Sequence, residues 1–362
     1  MNKPSSNKRV RHSSVLERLR DDVVSGRFVP GSRFPTRIDL QERFGASIAT
    51  IQRAVNHLTQ EGFVTVRGRQ GTFVAEHPPH TSTYALVNLE PAFLLPQAVR
   101  FWDTLARVSH EFERWSGQRI RLYDRVLLHT DDPGYRQLAA DVTLHRVAGV
   151  IYVGRVDMNG SPLLDLNSCA RVGMGSPPLF GKLPSLDQDW YQMFDRALDD
   201  FLNHGRRRVA VLSTDAYPPV YYDYIVSGAA ARGLTLRPQW FQVVNVLTGD
   251  WVSRIVHLLA QSGQAERPDA LFVTNDNFLV PALRGLEAAG CRVPDDIEVL
   301  SHWNFPAKFE GPGPVRLLGF DARQALQACI DVLDEQRRGG NPPMMSKIPA
   351  VFEEEIETSR RS

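Results

Sequence analysis

Apolar residues recur at helical spacing three times within the first sixty positions and then give way to short strand-like runs. Val15, Leu16, Leu19 and Val23 repeat every three to four residues behind Ser13 and Ser14, with Gly26 placed as a stop, which predicts a helix over 13–25. After the Pro30–Gly31 turn, Thr36 precedes a second helical stretch, Arg37–Phe44. Asp39 is positioned there to complete an acidic capping box, and Leu40 and Phe44 turn inward. Gly45 breaks this helix. Ser47 is placed to cap a third, whose apolar stripe of Ile51, Val55 and Leu58 runs to Glu61–Gly62. Two strand-like runs, Phe63–Val66 and Thr72–Ala75, flank Arg67-Gly68-Arg69-Gln70-Gly71 and predict a hairpin with a basic tip.

The period changes beyond His77-Pro78-Pro79-His80, which reads as a stiff polar joint. Strand-like runs are predicted near 84–89, 120–123, 149–153, 208–213, 241–246, 270–274 and 298–301. Helical patterns over 97–115, 135–145, 191–204, 250–260 and 279–289 alternate with them. Continuous apolar strands between amphipathic helices mean α/β architecture, with parallel sheets covered on both faces. The remaining length exceeds what one such sheet needs, so two Rossmann-like lobes are expected. The predicted organisation is a winged helix-turn-helix over 1–77, a linker over 78–82 and a two-lobed domain over 83–362. Lobe one is expected at about 83–185 and 303–338, lobe two at about 186–302 and 339–362.

Charge sharpens this picture. The 362 residues carry a formal net charge of +1, but residues 1–77 hold 13 basic against 7 acidic side chains, a net of +6 that leaves −5 for the rest. A basic module at one end of a near-neutral chain is the electrostatic footprint of nucleic-acid binding. Apolar residues at 43% and charged residues at 23% fit a globular chain with a sizeable core. No run of about 18 apolar residues occurs and the polar, basic N-terminus has no apolar stretch behind it, so no membrane association and a cytoplasmic location are expected. Three widely spaced cysteines, Cys169, Cys291 and Cys329, fit neither a disulfide framework nor a zinc ligand set.

Residues 13–75 resemble the GntR type of winged-helix DNA-binding domain. The resemblance rests on Ser25-Gly26-Arg27-Phe28, Pro30-Gly31-Ser32, Phe34-Pro35-Thr36, Phe44-Gly45-Ala46-Ser47, Ala49-Thr50, Glu61-Gly62-Phe63 and Gln70-Gly71-Thr72-Phe73-Val74. It implies a double-stranded DNA operator as partner, with the third helix in the recognition position. The family's arginines in that helix are replaced by Ile48 and Gln52. Ser47 and Thr50 are candidates for phosphate contacts at the helix N-terminus, and Gln52 for an adenine edge. Arg37 and Arg53 are candidates for phosphate or guanine, and Arg67, Arg69 and Gln70 for contacts through the wing.

Beyond the joint, four stretches resemble the lactose-repressor-type effector domain, a relative of periplasmic sugar-binding proteins. They are Leu186-Asp187-Gln188 with Asn203–Ala210, Leu271–Asp276, Gly290–Ile297, and Phe320–Gly339 with Pro349–Ser359. The resemblance implies a small, sugar-like effector between the lobes and a homodimer. Ligands of open α/β sheets bind at the carboxyl ends of strands, here Asn88–Phe93, Gly154–Asp157, Thr214–Tyr222, Asn275–Asn277 and His302–Phe305. Asp276 is the strongest bidentate acceptor, with Asn88, Asp215, Asn275, Asn277 and Asn304 beside it, although Asp276 is equally placed to cap the helix it precedes. Tyr221 and Trp303 are placed to stack on a sugar ring or to pack in the core. Where the family carries Phe-Asp this chain has His302–Trp303, the family's arginine is missing around Tyr221, and no minor-groove hinge helix is visible.

No metal-binding helix, phosphate loop or nucleophile elbow is present, and none of Lys182, Lys308 and Lys347 sits in a recognisable pyridoxal-phosphate motif, so no cofactor and no enzymatic activity are expected. The expected function is a sequence-specific regulator, most simply a repressor of carbohydrate-metabolism genes. The alternative is a ligand-sensing architectural protein that contacts DNA without sequence preference.

Overall fold

The structure is a computed structural model that describes residues 12–89, 95–124, 126–154, 156–245 and 250–359. Three helices, α1 (His12–Val24), α2 (Arg37–Phe44) and α3 (Ile48–Gln60), precede an antiparallel pair of strands, β1 (Val64–Val66) and β2 (Thr72–Val74). The expected caps are in place. Thr36 Oγ1 accepts from the Asp39 N–H while the Asp39 carboxylate accepts from the Thr36 N–H at 2.9 Å, and Gly45, at φ 60°, ends α2 in the left-handed conformation that a side chain resists. Ser47 then opens α3 by accepting from the Thr50 N–H at 3.2 Å. The stripes of the three helices meet in one core, with Val15, Leu19, Leu40, Ile51, Leu58 and Phe63 fully buried.

The joint expected to be stiff and polar is packed against its neighbours. Residues Pro79–Ser82 form a helical turn, α4, in which Pro79 and Ser82 are buried, and the His80 ring stacks on Phe63 at 5.9 Å and 13°. Two parallel sheets follow. The first contains β3 (Thr83–Asn88), β4 (Arg119–Tyr123), β5 (Gly149–Val153), β6 (Ala170–Met174) and β7 (Ser185–Gln188), interleaved with α5 (Leu95–Ser116) and α6 (Pro133–Thr143). The second contains β8 (Val209–Thr214), β9 (Phe241–Val244), β10 (Ala270–Val273), β11 (Glu298–Phe305) and β12 (Arg316–Asp321). Its helices are α7 (Trp190–Asn203), α8 (Pro219–Ala231), α9 (Asp250–Ala260) and α10 (Leu279–Ala288). Helix α11 (Ala322–Arg337), β13 (Met345–Ile348), β14 (Val351–Phe352) and α12 (Glu353–Ser359) close the chain.

The strand orders are β4-β3-β5-β6-β7-β13 and β9-β8-β10-β11-β12-β14, with β14 the antiparallel edge of the second sheet. In both, the order reverses between the first and third strands, which opens a crevice at the carboxyl ends of β3/β5 and of β8/β10.

The expected lobe boundaries need three corrections. Strand β7 pairs with β6 and so belongs to lobe one, and β11 and β12 remain in the second sheet through Asp321, so 303–321 lies in lobe two. The return to lobe one begins with α11, whose buried Leu326, Cys329 and Leu333 join the first sheet's core. Strand β13, expected in lobe two, pairs in parallel with β7. The chain therefore crosses between lobes at 188–190, 321–322 and 348–351.

Candidate DNA-contact face and inter-lobe cleft

The start of α3 and the tip of the hairpin are both exposed. Ser47, Arg37, Arg53, Arg69 and Gln70 are exposed there, as is Ile48 at the position where the sequence departs from the family. Gln52 is held from both sides: Arg37 Nε donates to its Oε1, and its Nε2 donates to Asn56 at 2.7 Å. Thr50 departs from expectation. It is buried and its hydroxyl lies 2.9 Å from that of Ser47, so it completes the helix cap instead of facing outward. Arg67 lies over the Phe73 ring and pairs with Glu76 at 2.9 Å, which leaves Arg69 as the wing arginine with the freer reach.

A network of charges fixes this domain to lobe one. Glu61, at the end of α3, accepts from Arg20 of α1 at 2.7 Å and from Arg146, beyond α6, at 2.5 Å. Arg146 also reaches the fully buried Asp141 at 3.1 Å. Asp141 in turn accepts from Arg121, the Tyr123 hydroxyl and Gln137 at 2.6–2.9 Å. Burial pushes the Asp141 pKa up, but the hydrogen bonds from Tyr123, Gln137 and Arg146 outweigh it, so the carboxyl stays below its ordinary value.

A cavity of about 470 Å³ occupies the crevice between the lobes, where both switch points face. Lobe one contributes Asn88, Gly154, Met174 and Asp187. Lobe two contributes Trp190, Tyr217, Tyr221, Asn275, Asp276, His302 and Asn304, and Trp102 adds a further ring. Five of the expected ligand residues, Asn88, Tyr221, Asn275, Asp276 and Asn304, thus come together here. Asp276 is buried and accepts from Asn304 Nδ2 at 3.0 Å, while Asn275, not Asp276, caps the turn at 276–278. Asn88 donates to Asp124 at 2.9 Å.

Three expected residues do not line the cavity. Asp215 is exposed and accepts from Asn245 at 2.8 Å, and Asn277 folds back to donate to Asn275 Oδ1 at 2.9 Å. Trp303 points to the opposite face of β11, packs edge-on against Phe309 and donates Nε1–H to the Ala307 carbonyl at 2.6 Å. Of the expected ligand loops, 90–93 and Arg155 lie outside the described residues, as does residue 246 of the strand expected at 241–246.

Asp187, Trp190, Tyr217 and His302 also line the cavity; Tyr217 and His302 lie within the expected ligand loops Thr214–Tyr222 and His302–Phe305, whereas Asp187 and Trp190 were not expected there. Burial raises the Asp187 pKa against the opposing pull of the Gln188 N–H and of Lys347. Burial likewise pushes the Tyr221 hydroxyl up to about 12, helped by Asp187. His302 is driven below its ordinary value by burial, with Asp276 pulling the other way, so its imidazole is neutral.

Elsewhere, Asp200, His204 and Glu298 bring ligand atoms within 4.8 Å of one another. Arg316 already forks onto Asp200 at 2.8 and 3.0 Å and Arg206 Nε donates to Glu298 at 3.1 Å, which makes this an ion-pair network holding α7 to β11 and β12. Among the described residues no helix is long and apolar enough to cross a membrane.

Residues 11–74 match the family described as bacterial regulatory proteins, gntR family, and residues 198–349 match the periplasmic binding protein-like domain. The arabinose metabolism transcriptional repressor of Geobacillus stearothermophilus is 22% identical over 312 residues, covering 78% of this chain and 79% of its own. The transcriptional regulator GalR of Streptococcus thermophilus is 22% identical over 317 residues, covering 83% and 92%. Among solved structures, a LacI family regulator from Arthrobacter sp. FB24 in complex with lactose superposes with a TM-score of 0.58 at 14% identity. It covers 75% of this chain and 97% of its own, and shares the two-lobed fold. The chain is therefore a DNA-binding regulator of transcription that joins a winged helix of the gntR family to a periplasmic binding protein-like domain.

Proposed function

We propose that the protein is a cytoplasmic repressor of carbohydrate-metabolism genes that binds a near-palindromic operator as a homodimer and answers to a sugar-like effector held between its lobes. The observation that carries this reading is the inter-lobe cavity. It sits at the switch points of both sheets, joins carboxylate and amide groups to a wall of aromatic rings, and belongs to a chain whose other end is a DNA-contact module. The names of the relatives, an arabinose repressor and GalR, support a carbohydrate link. In this reading Asp276, Asn275, Asn304 and Asn88 bond ligand hydroxyls, Tyr221 stacks on the ring, and Gln52, Arg53 and the wing contact DNA. A ligand acts by binding one lobe closure more tightly than another, and closure resets the spacing of the paired winged helices. One winged helix makes few base contacts, which favours a symmetric dimer.

The test is to select duplexes from a random pool with the full chain and compare affinity for the selected site with affinity for scrambled DNA at one salt concentration. Specific regulation predicts a ratio of about 1,000 or more. A ratio near one returns the architectural alternative.

A further inference from the structure

We propose that His302 is a specificity-determining residue of the inter-lobe cavity, its ring nitrogens held without protein partners so that a hydroxyl of an uncharged sugar can take up one of them. This rests on the ligand reading above. Both Nδ1 and Nε2 are buried, and neither has a hydrogen-bond partner among the described residues. The neighbours do not serve the ring. Trp190 at 5.2 Å and Phe320 at 6.0 Å pack tilted rings against it, and the Ser301 hydroxyl turns to the carbonyl of His302 itself. Several other polar groups of the cavity already have protein partners: Asn304 with Asp276, Asn275 with its own turn, and Asp187 with the Gln188 N–H.

Native proteins pair their buried polar atoms, so a buried orphan lining a ligand cavity marks a position kept open for a ligand group. A neutral imidazole offers one donor and one acceptor, and a hydroxyl both gives and takes, so a ligand hydroxyl suits whichever nitrogen it meets. The charge of the cavity narrows the class. Asp187 and Asp276 line it, so a sugar phosphate or sugar acid would meet like charge there, which favours an uncharged ligand. Trp190, Tyr217 and Tyr221 provide flat faces for the C–H surface of an uncharged ring.

The experiment uses the full chain, titrated calorimetrically and melted with D-glucose, D-galactose, L-arabinose, lactose, glucose 6-phosphate and gluconate. At least one uncharged sugar should bind and raise the melting temperature, and neither anion should. His302→Phe, which puts an apolar ring between Trp190 and Phe320, should melt at or above the wild-type temperature without ligand while losing tenfold or more in affinity for that sugar. His302→Gln, which keeps a donor and an acceptor, should retain part of the affinity. Intact affinity in His302→Phe overturns this inference and leaves the ligand reading standing. So does a folding defect in that variant, because it would reveal a partner the ring had to lose. Binding by the anions alone, or by none of the six probes, overturns the ligand class itself.

Discussion

Arg146→Ala should uncouple the DNA-binding domain from the sensor without disabling either. Arg146 is a quarter exposed and joins Glu61 at 2.5 Å to Asp141 at 3.1 Å, the first carboxylate on the winged helix and the second inside lobe one. Stranding a buried charge costs about 3–5 kcal/mol, but neither acid is stranded here. Glu61 keeps Arg20, and Asp141 keeps Arg121, Tyr123 and Gln137. Only the bond to Glu61 crosses from domain to lobe, because Arg146 and Asp141 both belong to lobe one, so docking loses one charge-assisted bond weakened by partial exposure, or about 1–2 kcal/mol. That changes the docked-to-undocked ratio by about 5- to 30-fold. Hydrogen exchange should speed up at residues 57–63 and 77–83, and ligand should lose most of its effect on DNA affinity while binding the cleft as tightly as before. Arg146→Lys, which keeps the charge but not the fork, should fall between. Wild-type protection at the junction together with a wild-type ligand effect in Arg146→Ala would refute the reasoning.

Three further outcomes are expected. Replacing Arg67 and Arg69 together by Ala should weaken binding to every sequence and reduce the salt slope by about 1 to 2, with most of the loss from Arg69 because Arg67 is already paired with Glu76; an unchanged slope removes the wing from the interface. Asp276→Ala should lower sugar affinity about tenfold or more in calorimetry, with Asp276→Asn intermediate, whereas undiminished affinity in Asp276→Ala places the sugar elsewhere. Burial, then Arg337 and His145, bring the His80 pKa down to about 4. The unfolded chain therefore binds the proton first, and stability present above pH 6.5 should fall as the pH drops toward 4. His80→Phe, which preserves the stack on Phe63, should flatten that acid limb in melts across this window, and an unaltered limb would discount His80.

The winged helix was legible because its signals are local. The Thr36–Asp39 box, Gly45 and the Ser47 cap each act within one helical turn, and the Ile51, Val55, Leu58 stripe is complete within α3. The closing strands were not legible. Strand β13 is a largely exposed edge, Met345–Ile348, whose pairing with β7 spans some 160 residues, and β6 carries Arg171 and Gly173 within its run. In the cleft, residue types at strand ends found Asn275, Asp276 and Asn304. Period-two alternation along β11 was the unused signal: His302 and Asn304 share the face that lines the cavity, and Trp303 takes the other. No sequence feature marked Trp190, whose place follows from the crossing between lobes at 188–190.

The central claim is that a ligand in the cleft changes DNA binding, and reciprocity tests it most directly. With the selected duplex and whichever of the six probes binds, DNA affinity is measured with and without saturating ligand, and ligand affinity with and without saturating duplex. Linkage predicts the same factor both ways, about 5- to 150-fold. DNA affinity that stays the same at saturating ligand would contradict the account.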